Sequence, residues 1–160
     1  MKGLNITRIF NAPRKLVWKA WTESEYVKRW WGPNDFTCPV AKIDFRVGGR
    51  YLLCMRGPTG TEFGKDYWST GEYIEIVPMK KILVKDSFAD EKGNIVSATH
   101  YGIQGFPLEL QVAITFEEVE EGKTKMTLNY PTVGDIDETM FNNMNQGWNQ
   151  SLDKFAEVLK

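Results

Sequence analysis

The residues that could do chemistry are few. The chain holds one histidine, His100. It falls in a glycine-rich stretch, residues 89–107, beside Tyr101 and Phe106. A Ser-His-acid triad would have to use it, and there is no Gly-x-Ser-x-Gly elbow to present a serine. A lone loop histidine reads first as a surface or capping residue. The two cysteines, Cys38 and Cys54, lack metal-ligand spacing. A hairpin turning at Gly48-Gly49 pairs Cys54 with about Ile43 and leaves Cys38 out of register. A disulfide needs Cα atoms within about 7 Å, so both thiols are expected to be buried and free. Gly48-Gly49 is not a phosphate loop, since no Lys-Ser/Thr follows into a helix. Glu72, Glu75 and Asp86 fall on candidate strands, where solvation on a polar face is the expected role. Enclosed, such carboxylates would serve as acid or base groups. No catalytic residue, metal or cofactor is assigned.

Binding is better represented than reaction. Residues 135–160 read as one amphipathic helix, with Ile136, Met140, Met144, Gly147, Trp148, Ser151, Leu152, Phe155, Val158 and Leu159 on one face. Asp135 is the expected cap, with Glu138 as its reciprocal partner. Four asparagines (Asn142, Asn143, Asn145, Asn149) and Gly147 are poor helix formers, so tertiary packing must hold the helix. Its second half is aliphatic and anchors. Its first half presents Met140, Phe141, Met144 and Trp148, adaptable side chains suited either to core or to the roof of a cavity.

The elements that must carry this helix follow from local pattern. Residues 4–10 are β-rich and stop at Asn11-Ala12-Pro13. Pro13 suits the first turn of a short helix with Leu16, Val17, Ala20 and Trp21 inward. Thr22 and Glu25 have capping-box spacing for a second short helix that ends at Gly32-Pro33. Strands are expected at 38–45, 50–56, 67–77, 82–88, about 108–117 and about 125–130. Alternation in the last two is clean, giving one dry and one wet face. In 50–56 the terminal arginines share a face, so Tyr51, Leu53 and Met55 point inward. Residues 95–100 could hide a further strand. Six tryptophans are many for 160 residues. Trp18, Trp21, Trp30 and Trp31 crowd the short helices, either as packing or, for Trp30, Trp31 and Phe36, as an aromatic rim at a pocket mouth.

The predicted order is one strand, two short helices, six strands and one long helix. The dry sheet face needs a cover, and the long helix is the only element large enough. The expectation is therefore a single α+β domain over residues 1–160. A curved antiparallel sheet of about seven strands wraps the C-terminal helix, and aromatics and methionines at the seam leave room for a pocket. A formal net charge of −1 gives no general attraction to nucleic acid or acidic membranes. No apolar stretch spans a bilayer, and no apolar leader precedes the first strand, so a cytoplasmic protein is expected, as a monomer or weak homodimer.

Four segments carry a resemblance: NAPRKLVWKAWTESEYVKRWWGP (11–33), DFRVGGRY (44–51), GEYIEIVP (71–78) and GWNQSLDKFAEVL (147–159). In order and over nearly the whole chain, they resemble the activator-of-heat-shock-protein-90-ATPase homologue family of the START-like (SRPBCC, Bet v 1-like) superfamily. The resemblance implies a helix-grip fold with a deep cavity between sheet and C-terminal helix. Superfamily members hold lipids, sterols or polyketides there. By position in that fold, the pocket lining would be Met140, Met144 and Trp148 from the roof, with Trp30, Tyr51, Leu53 and Trp68 facing them. The family's eukaryotic co-chaperones carry a separate N-terminal chaperone-binding domain. This sequence opens directly on the START-like pattern.

The reading favoured is a non-enzymatic carrier or sensor of a small hydrophobic molecule (lipid, aromatic or polyketide-like). Two others remain: a co-chaperone-like interaction module with a chaperone partner, and a polyketide-cyclase-like enzyme using Tyr51, Tyr73 or His100. Polar groups converging inside the cavity would favour the last.

Overall fold

The computed structural model describes residues 2–160. The elements run β1 (Leu4–Phe10), α1 (Arg14–Thr22), α2 (Ser24–Trp30), β2 (Thr37–Ile43), β3 (Arg50–Arg56), β4 (Asp66–Val77), β5 (Lys81–Ala89), a 3-10 turn (Ala98–Tyr101), β6 (Leu110–Glu120), β7 (Lys123–Tyr130) and α3 (Glu138–Val158). One seven-stranded sheet has the order β1-β7-β6-β5-β4-β3-β2. Every pairing is antiparallel. The sheet curls into a half-barrel around α3, the α+β helix-grip arrangement.

Alternation explains the sheet's dry face. Leu110, Val112, Ile114 and Phe116 of β6 are buried, as are Met126, Leu128 and Tyr130 of β7. On β3, Tyr51 and Leu53 are buried between the exposed Arg50 and Arg56.

The second half of α3 closes the core. Ser151, Leu152, Phe155 and Val158 are its buried residues. The Phe155 ring lies 5.0 Å from Phe10 and 5.0 Å from Trp30, centroid to centroid, tying the helix to β1 and α2. Burying a leucine or phenylalanine side chain stabilises by about 1.5–3 kcal/mol. This half therefore supplies the anchorage that the asparagine-rich half lacks.

Several local expectations are corrected. The α3 cap is Asp137, not Asp135. The Asp137 carboxylate accepts from the Met140 backbone N–H at 2.8 Å, so the helix starts at Glu138. Thr22 closes α1 instead of capping α2. Glu23 precedes α2 and makes no side-chain cap bond. Pro13 stands just outside α1, as its cap residue. Residues 95–100 do not form a strand. Ile95 makes one isolated bridge with Ala89, and Ser97 Oγ accepts from Thr99 N–H, which turns the chain into the 3-10 helix.

The β2–β3 register also differs. Cys54 pairs with Val40, and Ile43 pairs with Tyr51, because the tight link at Gly48 (φ +82°) and Gly49 is followed at once by β3. Both cysteines are nonetheless buried and free.

Candidate functional site: a cavity under the C-terminal helix

A cavity of about 580 Å³ lies between the sheet and the first half of α3. This is within the range of about 300–1,000 Å³ typical of small-molecule sites. Met140, Asn143, Met144, Gly147, Trp148 and Ser151 of α3 border it, one face of the helix at three- and four-residue steps. Phe141 turns away from it, and the Lys2 ammonium lies 4.1 Å from the Phe141 ring centroid.

All seven residues assigned above to the lining (Trp30, Tyr51, Leu53, Trp68, Met140, Met144 and Trp148) border this one cavity. Their positions are not equivalent. Trp30 has 0% exposure and donates its indole N–H to the Ala20 carbonyl at 2.9 Å, so it is a deep wall and not part of a rim. Trp68 pairs with Cys54, which places it by register on the opposite sheet face from Leu53, and it borders the cavity near the start of β4.

Four of the tryptophans form one wall. Trp21, Trp30 and Trp31 come from α1, α2 and the residue after α2. Trp148 comes from α3 and stacks on Trp21 at 6.1 Å and meets Trp31 edge-on at 5.6 Å. Trp21 and Trp30 meet at 4.7 Å. Trp18 lies outside the cavity, edge-on to Phe45 and Phe116. His100 is exposed and does not border the cavity.

The sheet side is different in chemistry. Ile82, Val84, Asp86 and Phe88 alternate along β5 and all border the cavity. This brings a carboxyl onto the dry face. Register explains its surroundings. Tyr51 pairs with Gly71, and Gly71 pairs with Asp86, so the three form a row across β3, β4 and β5. The Tyr51 ring lies over Gly71, where an added Cβ would come within 2.3 Å of it. Glycine thus leaves the space through which the Tyr51 hydroxyl reaches and donates to Asp86 Oδ2.

Tyr73 flanks the pair, its ring 5.7 Å from that of Tyr51. Tyr130 stands on the other side, its hydroxyl accepting from the Trp148 indole N–H at 3.1 Å. Among the described residues, the Asp86 carboxyl has no other hydrogen bond than that from Tyr51 and no ion pair.

Burial dominates the electrostatics. It pushes the Asp86 carboxyl up to about 7, against which the Tyr51 hydrogen bond pulls down. Burial raises Tyr51 strongly, and the Asp86 charge adds to this. Tyr73 and Tyr130 are also raised, in both cases chiefly by burial. All three tyrosines are therefore neutral near pH 7, and Asp86 is the group poised to gain or lose a proton. Burial raises Cys38 to about 11 and Cys54 to about 12, so neither is a thiolate nucleophile at neutral pH. Among the described residues, no group of three or more His, Cys, Asp or Glu side chains could hold a metal ion, and no helix is long and apolar enough to cross a membrane.

Solvation, the role expected for Asp86 from sequence, is corrected by its place in the cavity lining, and Gly71 carries no expectation of its own. The signal for Asp86 was its parity with Val84 and Phe88. Gly71 needed the β3–β4 register, which local pattern does not specify.

Comparison with known proteins places this geometry. A family profile described as Activator of Hsp90 ATPase homolog 1-like protein matches residues 11–160. No curated protein matches the sequence. Among solved structures, a protein from Chromobacterium violaceum is 25% identical, with a TM-score of 0.78 over 98% of this chain and 96% of its own. A protein from Arthrobacter aurescens is 24% identical, with a TM-score of 0.77 over 98% of this chain and 85% of that one. The AHSA1 protein from Silicibacter pomeroyi is 20% identical, with a TM-score of 0.76 over 99% and 97%. The last two show likeness of fold alone. Architecture and family match agree, and the chain belongs to the Activator of Hsp90 ATPase homolog 1-like family.

Proposed function

We propose that this protein binds a small, largely apolar molecule in the cavity under α3, as a single-domain carrier or sensor. The observation that carries this reading is the cavity itself. Its roof is adaptable methionine and tryptophan, its far side is aromatic, and its sheet face carries one inward carboxyl. A filled core would have closed this space, since interiors pack to near-crystalline density. The ligand-binding residues are Trp30, Tyr51, Leu53, Trp68, Met140, Met144 and Trp148, with Asp86 added from the structure. Two buried free thiols fit a reducing compartment such as the cytoplasm. A panel of aromatic and aliphatic compounds tests the reading by thermal shift. A binder raises the midpoint in proportion to the logarithm of its concentration. No response to any of them at saturation would count against it.

One observation favours a second reading, a polyketide-cyclase-like enzyme. Asp86 and Tyr51 converge inside the cavity and Asp86 titrates near neutrality, where a general acid or base works best. Turnover of a carbonyl substrate, lost in Asp86→Asn with binding retained, would establish it. A co-chaperone role rests on the family name, and stimulation of the chaperone's ATPase by the purified protein tests it.

A further inference from the structure

The charged groups around the cavity are unevenly placed. Three residues with charged side chains border it: Glu62, Lys65 and Asp86. Glu62 and Lys65 are exposed, and Lys65 Nζ is held at 3.1 Å by the Tyr101 carbonyl. Only Asp86 is on the sheet floor. Among the described residues, no lysine or arginine forms an ion pair with it. Its Oδ2 is taken by the Tyr51 hydroxyl, and Oδ1 has no protein partner among the described residues. Oδ1 is not sealed among apolar atoms either: the one fully buried, unpartnered side-chain polar atom among the described residues is Arg14 Nε.

A half-buried carboxylate in an apolar cavity without a counter-ion is costly. Such a group persists either by holding its proton or by meeting a partner that arrives with the ligand. Three ligand classes could meet it. An anion would be repelled. A neutral hydroxyl would satisfy Oδ1 but leave the charge unbalanced. A cation would balance it, and the surroundings suit one: Tyr51, Tyr73 and Tyr130 flank the carboxyl, and four tryptophans stand across the cavity. Aromatic faces attract organic cations.

Resting on the reading that the cavity holds a ligand, we infer that this ligand is an organic ammonium, an apolar body carrying one protonated amine that seats on Asp86 Oδ1. The groups facing Asp86 from the elements around it are Tyr51 of β3, Tyr73 of β4 and Tyr130 of β7. The residues that α3 contributes to the lining carry no titratable group. Across neutral pH, Asp86 is thus the only member of this set that changes charge.

The test uses three probes of equal size: para-butylbenzylamine, para-butylbenzyl alcohol and para-butylbenzoate. Calorimetric titration is run at about pH 8 and about pH 5.5, on either side of the Asp86 titration. The amine is cationic at both. At the higher pH it binds roughly tenfold or more tighter than the alcohol, and the benzoate binds weakest. At the lower pH, with Asp86 protonated, the advantage of amine over alcohol falls to roughly threefold or less. Asp86→Asn removes that advantage at both. If this variant does not fold, the wild-type pair of pH values decides. Equal binding of amine and alcohol at the higher pH, tighter benzoate binding, or an advantage that survives at the lower pH would overturn the cation assignment and leave the ligand reading standing. Binding of none of the three would overturn the ligand reading itself.

Discussion

The Tyr51 hydroxyl donates to Asp86 across the bare backbone of Gly71, joining β3 to β5 over the intervening β4. The pair sets a polar spot on the floor of a cavity lined mainly by methionine, aromatic and aliphatic side chains. Its consequences for stability follow from the direction of the Asp86 shift.

Asp86 is raised from an ordinary carboxyl value of 3.8 to about 7. Below about pH 4 the carboxyl is protonated in both folded and unfolded chains, and its neutral form is accommodated. Between about 4 and 7 the folded chain holds the proton that the unfolded chain releases, so stability falls as pH rises through this window and levels off above it. The shift sets a ceiling of about 4 kcal/mol, less what the cavity-facing oxygen recovers from water. Asp86→Asn should flatten this part of the pH–stability curve and make the protein more stable above pH 7, as read by urea unfolding across pH.

Tyr51→Phe removes the one hydrogen bond that favours the charged carboxylate. The Asp86 titration should then move further up from about 7. Carboxyl carbon shifts in an NMR titration would report it. An unchanged midpoint would show that the phenol does not hold this carboxyl.

Gly71→Ala places a methyl group within 2.3 Å of the Tyr51 ring. The ring must move off Asp86, at a cost of about 1–3 kcal/mol. Combining it with Tyr51→Ala should cost clearly less than the sum of the two single changes, because truncating the ring removes the collision that the added methyl creates. Additive losses in a double-mutant cycle would contradict the packing described.

The two halves of α3 should respond differently to truncation. Leu152 has 0% exposure in the closed core, and Leu152→Ala should cost about 2–5 kcal/mol. Trp148 borders the cavity and is only partly buried, so Trp148→Ala should cost less than the 3–5 kcal/mol of a filled core site and should change ligand affinity more than stability. Urea unfolding and a binding titration on the same variants check this.

Much of this arrangement was legible before any coordinates. Strict alternation from Leu110 to Phe116 and from Met126 to Tyr130 identifies the dry face, because a strand's side-chain period is two. The methionine and tryptophan positions of α3 identify its inward stripe for the same kind of reason. Caps were less legible: Asp135 and Asp137 are chemically alike, and only backbone geometry selects Asp137. The strand considered at 95–100 failed because the Ser97 side chain competes for backbone hydrogen bonds. Asp86 was visible by parity but was expected on the wet side, since most strand carboxylates are solvated. The Tyr51–Gly71–Asp86 row depends on the pairing of three strands, and no single segment encodes that.

The central claim is that the first half of α3 roofs a space that a ligand fills. Methyl-labelled methionine NMR tests it most directly, using para-butylbenzyl alcohol as probe. Met55, Met140 and Met144 border the cavity, whereas Met79 sits in the β4–β5 turn away from it. Saturable shifts at Met140 and Met144, with Met79 unmoved, are the predicted result. Unmoved Met140 and Met144 at saturating probe, or equal shifts at Met79, would contradict it.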